Sequence, residues 1–304
     1  MSETIQELWS GYGEILRIKL QGTQPASVIA KHVHFPKDGT HPRGWNSKLA
    51  HQRKRKSYQI ERAWYEHWSE RCGEQARVPK LLHLDQSAEQ SLLLLEDLDA
   101  SGYPLRLSAP SPAQVRGCLD WLAHFHATFM NAAPQKLWQK GSYWQLETRS
   151  EELAALADLE LKEAAPTLDR ILNNARYQTI IHGDAKLANF CFAETHPAVA
   201  AVDFQYVGGG CGMKDLAYFL GSCLDESACE RQESELLTYY FTSLRRALTS
   251  EQAAVDADAL EQEWRALFPI AWADFHRFLK GWSPGHWKIN SYSERICREV
   301  INSL

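Results

Sequence analysis

Three side chains with oxygen atoms, Asp184, Asn189 and Asp203, have spacings that could bring them together. Two short apolar runs flank a turn at His196-Pro197, which predicts an antiparallel hairpin centred near residue 196. Positions 189 and 203 are equally far from that centre, so both side chains should reach the open end of the hairpin. Carboxylate and amide oxygens suit Mg²⁺, a hard cation that also keeps waters and substrate phosphates as ligands. Asp184, on a loop beside that end, is then free to accept a proton from a hydroxyl group.

This stretch resembles the catalytic segment of kinase-like phosphotransferases that act on small molecules. The resemblance is carried by His182, Gly183, Asp184 and Asn189, in the pattern His-Gly-Asp-x-x-x-x-Asn, and by Asp203-Phe204-Gln205. The superfamily includes aminoglycoside phosphotransferases, choline and ethanolamine kinases and the ecdysteroid-kinase-like group, and protein kinases carry related patterns. It implies that Asp184 deprotonates the acceptor hydroxyl and that Asn189 and Asp203 hold Mg²⁺. Gln205 stands where protein kinases have the glycine of Asp-Phe-Gly, and in this respect the motif is most similar to the ecdysteroid- and choline-kinase branch.

The hydrophobic periodicity divides the chain into a strand-rich first part and a helical remainder. Strands are predicted at Glu14–Leu20, Ser27–Phe35, Val78–Leu84 and Ser91–Leu95, with a loop at 36–47 and a helix from Ser57 to about Arg71, ended by Gly73. Further helices are predicted at 115–130, 149–163, 167–176, 214–224, 229–247, 251–265 and 270–280, interrupted by a short β insertion at about 180–203.

These elements, together with the resemblance, predict an α+β fold of two lobes like that of protein kinases. A small antiparallel-sheet lobe with one helix would occupy residues 1–97 and bind the nucleotide. A larger, mainly helical lobe at residues 98–304 would carry the catalytic loop and the acceptor site. The cleft between two such lobes is a common place for a ligand.

Lys31 is the first candidate for nucleotide binding in the small lobe. It shares a predicted strand face with apolar residues, where a lysine without a partner is costly. The segment Ser27–Lys31 resembles the V-A-I-K strand, whose lysine pairs with phosphates and with a glutamate on the next helix. Glu61 is the favoured partner, and Glu66 is the alternative.

Two further segments are candidates for nucleotide contacts. The apolar run that ends at Glu96 resembles the kinase hinge, which implies a carbonyl from Glu96 and an amide from Leu98 for the adenine. Gly11 and Gly13, just before the first predicted strand, could form a loop that covers the phosphates, although an ordinary turn is the alternative.

Four other features have mainly structural interpretations. The glycines at 208–212 are expected to form a flexible turn, and Asp215 resembles the aspartate that braces the catalytic loop. The basic run Arg53–Lys56 is expected to be a solvated loop before the helix. The aromatic C-terminal helices are expected to be mainly core, with some rings lining an acceptor pocket for either a quaternary ammonium or a flat alcohol.

Composition narrows the class of protein. Of the 304 residues, 44% are hydrophobic and 23% are charged, which is typical of a globular chain. The net charge of -5 argues against a nucleic-acid binder. The seven cysteines form no CxxC pair, and the longest apolar runs are far too short for a membrane span. The polar start also lacks a signal peptide, so we expect a soluble, cytoplasmic protein with no membrane partner.

Together these features predict a kinase that uses ATP and Mg²⁺ to phosphorylate a hydroxyl group of a small molecule. Two alternatives remain open: a nucleotide-binding scaffold without turnover, and a protein kinase. The sequence names neither the acceptor nor the oligomeric state.

Overall fold

A five-stranded antiparallel sheet and a long helix form the N-terminal part of the protein. The computed structural model describes residues 2–8, 11–22, 25–34, 48–87 and 89–304. The strands are β1 (Ser2–Glu7), β2 (Gly13–Lys19), β3 (Ser27–His34), β4 (Leu81–Gln86) and β5 (Gln90–Glu96), and the helix is α1 (Lys48–His67). The sheet order is β1-β2-β3-β5-β4, so β3 and β5 lie inside the sheet. β1 was not predicted, because its residues are all exposed and show no apolar face.

Helix α1 begins nine residues before the predicted cap Ser57 and ends before Arg71 and Gly73. Ser57 lies inside the helix, where its hydroxyl donates to the Lys54 carbonyl at 2.8 Å. A serine bonded back to the preceding turn can be accommodated in a helix interior. The basic run Arg53–Lys56 is therefore helical and not a solvated loop, and the predicted loop at 36–47 lies outside the described residues.

The C-terminal part is mainly helical. Its helices are α2 (Pro112–Thr128), α3 (Ser150–Ala155), α4 (Leu159–Asn173), α5 (Met213–Cys223), α6 (Glu226–Ser250), α7 (Ala257–Trp282) and α8 (Ser291–Ser303). Two strand pairs interrupt them: β6 (Thr179–Ile181) with β9 (Gly208–Gly210), and β7 (Phe190–Phe192) with β8 (Val199–Ala201). The predicted α+β fold, with a small antiparallel sheet before a larger helical part, is confirmed.

Several helix boundaries differ from the prediction. The two helices expected at 251–265 and 270–280 form the single α7, which contains Pro269. The break between α3 and α4 falls at 156–158, where Asp158 caps α4 by accepting from the Leu161 amide at 3.2 Å. Helix α8 was not predicted. None of the helices within the described ranges is long and apolar enough to cross a membrane.

Helix α2 forms the centre of the helical part. Its apolar side chains Leu119, Leu122 and Phe125 are completely buried, and Ser111 caps its N-terminus in a reciprocal capping box. α2 packs along α6 and beneath the strand pairs. This rigid base supports the loops that carry the predicted catalytic residues.

Candidate active site

The β7–β8 hairpin brings Asn189 and Asp203 to its open end, with a register one residue from the predicted one. Phe190 pairs with Ala201, and the Val202 amide donates to the Asn189 carbonyl at 3.0 Å. Asn189 therefore lies opposite Val202 and not opposite Asp203. Asp203 leaves the strand with a φ of +70°, a left-handed conformation that is uncommon for aspartate. Asn189 and Asp203 thus lie at the same end of the hairpin, as predicted, but the prediction that they lie opposite each other was wrong.

Asp184 is held beside Asn189 with one carboxylate oxygen unused. The side-chain nitrogen Nδ2 of Asn189 donates to the backbone carbonyl oxygen of Asp184 at 2.7 Å and to the carboxylate oxygen Oδ2 of Asp184 at 3.2 Å. Lys186 Nζ donates to the same Oδ2 at 3.0 Å. Oδ1 of Asp184 is buried and has no hydrogen-bond partner within 3.5 Å, and the Tyr218 hydroxyl is a side-chain donor close to the same carboxylate. A buried acceptor without a donor is costly, and such a group in a cleft points to a ligand that supplies the donor.

Asp215 fixes the loop that carries Asp184. Its two oxygens accept from the backbone amides of His182 at 2.6 Å and Gly183 at 2.8 Å. His126 Nε2, on α2, lies 3.1 Å from Asp215 Oδ2, so this buried histidine is a hydrogen-bonding part of the support. Gly183 has a φ of +78°, and a Cβ there would lie 2.1 Å from the Tyr206 carbonyl oxygen. Glycine is therefore required at this position.

Lys31 pairs with Glu61, as expected from the favoured assignment. Lys31 Nζ lies 2.7 Å from Glu61 Oε2 and 3.4 Å from Asp203 Oδ1. Burial alone would lower the pKa of Lys31, but the Glu61 and Asp203 carboxylates together raise it, so the amine is protonated. Glu66 instead lies at the surface beside Arg62, at 3.6 Å. The sheet and α1 thus place a cation next to the metal-site candidate Asp203.

Lys54 is a cleft residue that the sequence analysis missed. Its Nζ donates to Gln205 Oε1 at 3.0 Å, and Gln205 Nε2 donates to Asp203 Oδ1 at 2.8 Å. Burial lowers the pKa of Lys54 to about 8. Lys54 and Glu61 are seven residues apart, so two turns of helix put them on one face. That spacing was a usable signal, but it requires α1 to begin before Ser57.

The predicted hinge residues Glu96 and Leu98 line the cleft at the end of β5. The Glu96 carboxylate is bound by Arg77 at 2.5 Å and by the Ser101 hydroxyl at 2.7 Å. Asp97 accepts from Arg17 at 2.8 Å. These side-chain bonds fix the conformation of the segment that connects the sheet to the helical part.

The two glycine-containing segments, at residues 11–13 and at Gly208–Gly210, have different structures. Gly11 (φ +70°) and Gly13 (φ +125°) lie at the turn between β1 and β2, where Leu8 and Tyr12 line the cleft but neither glycine does. Trp9 and Ser10 lie outside the described residues. Gly208–Gly210 is not a flexible turn: it forms β9, where a Cβ on Gly208 would lie 2.2 Å from a carbonyl oxygen of Trp138.

A cleft of about 1290 Å³ is lined by the candidate residues Lys31, Glu61, Glu96, Leu98, Asp184, Asn189 and Asp203. Aromatic side chains also line it, and we call them the aromatic wall: Tyr143, Tyr218, Phe275, Phe278, Trp282 and Trp287.

The residues present fit a magnesium ion that binds together with phosphates. The described ranges contain no cluster of three or more His, Cys, Asp or Glu side chains that could hold a metal alone. Asn189 and Asp203 offer an amide oxygen and a carboxylate. Because Mg²⁺ usually keeps several waters and takes one or two protein ligands plus phosphate oxygens, two such residues are sufficient.

Solved structures with a similar fold are kinases and phosphotransferases of small molecules. Amicoumacin kinase hAmiN, in complex with AMP-PNP, Ca²⁺ and Ami, superposes with a TM-score of 0.59 at 14% identity, over 99% of this chain and 88% of that one. Plasmodium vivax ethanolamine kinase gives 0.55 at 14% identity, over 100% and 84%. The GDP complex of aminoglycoside 2'-phosphotransferase-IIIa gives 0.51 at 13% identity, over 100% and 93%. At these identities the likeness shows the fold.

The family follows from a separate comparison. No curated protein matches the sequence significantly. The model of the phosphotransferase enzyme family, APH, matches residues 37–251, which is more than half of the chain and includes the loop of Asp184 and the hairpin of Asp203. The chain belongs to the phosphotransferase enzyme family.

Proposed function

We propose that this protein transfers the γ-phosphoryl group of ATP, with Mg²⁺, to a hydroxyl group of a small molecule. The observation that carries the proposal is the unpartnered Oδ1 of Asp184, buried in the same cleft as the Lys31–Glu61 pair and Asp203. A proton acceptor and a phosphate-binding cation in one cleft are what transfer to a hydroxyl requires.

On the nucleotide side, Lys31 contacts the α and β phosphates and Glu61 keeps that amine in position. The backbone at Glu96 and Leu98 binds the adenine. The turn that contains Gly11 and Gly13 covers the phosphates through Leu8 and Tyr12, which line the cleft. Bound Mg²⁺ neutralises charge on the phosphate oxygens, and Asn189 and Asp203 are the residues that would hold it. The nucleotide complexes of hAmiN and of 2'-phosphotransferase-IIIa support the use of a nucleotide.

On the acceptor side, Asp184 Oδ1 accepts the hydrogen bond of the substrate hydroxyl. As the hydroxyl oxygen attacks the γ-phosphorus, its proton passes to Asp184 and ADP leaves. Lys186 and Asn189 donate to Oδ2, which leaves Oδ1 to accept from the substrate hydroxyl. Asp215 positions the loop and does not touch the substrate.

The proposal is tested by ADP release with Mg-ATP across a panel of small alcohols, with Mg-GTP in parallel. Thermal unfolding with Mg-ATP is measured on the same protein. A ligand at 100 times its Kd stabilises the folded state by about 2.7 kcal/mol, so binding raises the melting temperature. A shift with turnover of at least one alcohol supports the proposal. A shift without any turnover supports the nucleotide-binding scaffold instead, and no shift with either nucleotide contradicts both.

A further inference from the structure

A lysine of the protein itself lies against the aromatic wall of the cleft. Lys288, on the segment between α7 and α8, holds its Nζ 5.0 Å from the centre of the Tyr218 ring and 5.6 Å from that of Phe275. All three residues line the cleft. Ring faces attract cations, so a resident ammonium occupies the positions that a substrate ammonium would use.

Two carboxylates of the cleft form salt bridges with cations other than Lys288. Asp184 pairs with Lys186 at 3.0 Å, and Glu152 pairs with Arg149 at 2.9 Å. Within the described part of the chain, no carboxylate forms a salt bridge with Lys288. This amine therefore faces the cleft beside Lys186 without a carboxylate of the described residues in salt-bridge contact, and Asp184 is the carboxylate whose charge acts on it.

The electrostatics agree with that geometry. Burial lowers the pKa of Lys288 to about 8, and the positive charge of Lys186 contributes to the same shift, while the Asp184 carboxylate opposes it. An amine with this pKa is still mainly protonated at neutral pH. An anion bound beside it would relieve both the burial of the charge and the repulsion from Lys186.

We infer that the acceptor is an alcohol on a flat, apolar frame that also carries a carboxylate, and that Lys288 is the residue that selects this charge. The inference rests on the proposed function of the same cleft. Tyr218 and Phe275 pack against the frame, Lys288 binds the carboxylate, and Asp184 Oδ1 receives the hydroxyl. An acceptor with an ammonium group, such as ethanolamine, would instead meet Lys288 and Lys186.

The test uses three benzyl alcohols that differ only in the para substituent: 4-(hydroxymethyl)benzoate, 4-(hydroxymethyl)benzamide and 4-(aminomethyl)benzyl alcohol. Each is titrated into the full chain loaded with Mg-AMP-PNP, and binding is measured by calorimetry at millimolar ligand. A hydrogen bond to a charged group is worth about 1.5–3 kcal/mol, so the benzoate should bind roughly tenfold to a hundredfold more tightly than the amine. Lys288→Met should abolish that preference, and Lys288→Arg should retain it.

The control variant is Lys19→Met, which removes the same charge from an exposed residue of β2 outside the cleft. It should retain the wild-type preference. Three results would overturn the inference: an amine that binds as tightly as the benzoate, a preference that survives Lys288→Met, or no binding of any of the three alcohols. Tight binding of the amine would point to Glu151, another residue that lines the cleft. Failure of the proposed function is read separately, because it would appear as absent binding of Mg-AMP-PNP.

Discussion

The indole of Trp64 stacks on the ring of Phe204, with ring centres 4.6 Å apart and an angle of 15° between the planes. Trp64 lies one turn after Glu61 on α1, and Phe204 follows Asp203 directly. Both rings are fully buried. This contact ties the helix that carries Glu61 to the loop that carries Asp203, so the two halves of the proposed nucleotide site share one packed core.

Replacing Trp64 by alanine should destabilise the fold and weaken nucleotide binding together. Removing a buried tryptophan typically lowers the free energy of unfolding by about 3–5 kcal/mol. Urea unfolding measures that loss, and titration with Mg-ATP measures the second effect. The matched control is Trp287→Ala at a tryptophan that is 58% exposed, for which the unfolding midpoint should hardly change. Equal effects of the two variants would contradict a structural role for the Trp64–Phe204 contact.

The choice between the two glutamates of α1 gives a second prediction. Glu61→Gln removes the carboxylate that lies 2.7 Å from Lys31 and leaves a buried ammonium without its main partner. Breaking a buried pair in this way is destabilising by about 3–5 kcal/mol, and the affinity for Mg-ATP should fall because Lys31 loses its position. Glu66→Gln, at the surface of the same helix, should change neither quantity. A thermal-shift titration of both variants decides between them, and a loss of affinity only in Glu66→Gln would reverse the assignment.

Lys54 gives a prediction with opposite signs for stability and binding. Its folded pKa of about 8 lies below the usual lysine value, so the unfolded chain binds more protons between about pH 8 and pH 10.5. Below about pH 8 the buried charge of Lys54 therefore lowers the free energy of unfolding. This penalty disappears as the pH rises from about 8 to about 10.5. Lys54→Met should raise the melting temperature of the free protein near pH 7 and have a smaller effect above about pH 10.

The same Lys54→Met variant should bind Mg-ATP more weakly, because a cation next to Gln205 and Asp203 is lost. Differential scanning fluorimetry at several pH values, with and without Mg-ATP, measures both effects. Stabilisation that is independent of pH would show that volume and not charge is responsible. Unchanged affinity of the variant for Mg-ATP would show that Lys54 does not contribute to nucleotide binding.

The sequence was most informative where local pattern and spacing determine position. The alternation of apolar residues located β3, and a continuous apolar run located β5. The spacing of Asn189 and Asp203 located their common end of the hairpin. Its register could not be predicted, because a change of one residue leaves both on the same end of a short apolar pair. The structure is what shows Asn189 opposite Val202.

The errors arose where tertiary contacts decide the local structure. Ser57 looked like a cap, but its bond to the preceding turn and its contact with Gln205 accommodate it inside α1. The glycines of β9 looked flexible, yet they are a strand because Trp138 and Ile181 pack too close for side chains. Two helices were predicted at 251–265 and 270–280, yet they form the single α7, which contains Pro269. Gln205 is far from Ser57 in the sequence, and Trp138 is far from Gly208, so neither contact could be read from the local sequence.

The central claim is that Asp184 accepts the proton of the acceptor hydroxyl, and Asp184→Asn tests it most directly. The substitution keeps the shape of the side chain but removes its basicity, and general-base effects are typically worth about 10²–10⁴ in rate. Phosphoryl transfer to an alcohol identified in the panel is measured together with the affinity for Mg-ATP, with the exposed Asp85→Asn as control. Our account predicts that Asp184→Asn binds Mg-ATP about as well as the wild type and loses most of the transfer, while Asp85→Asn retains both. Transfer by Asp184→Asn at the wild-type rate would contradict it.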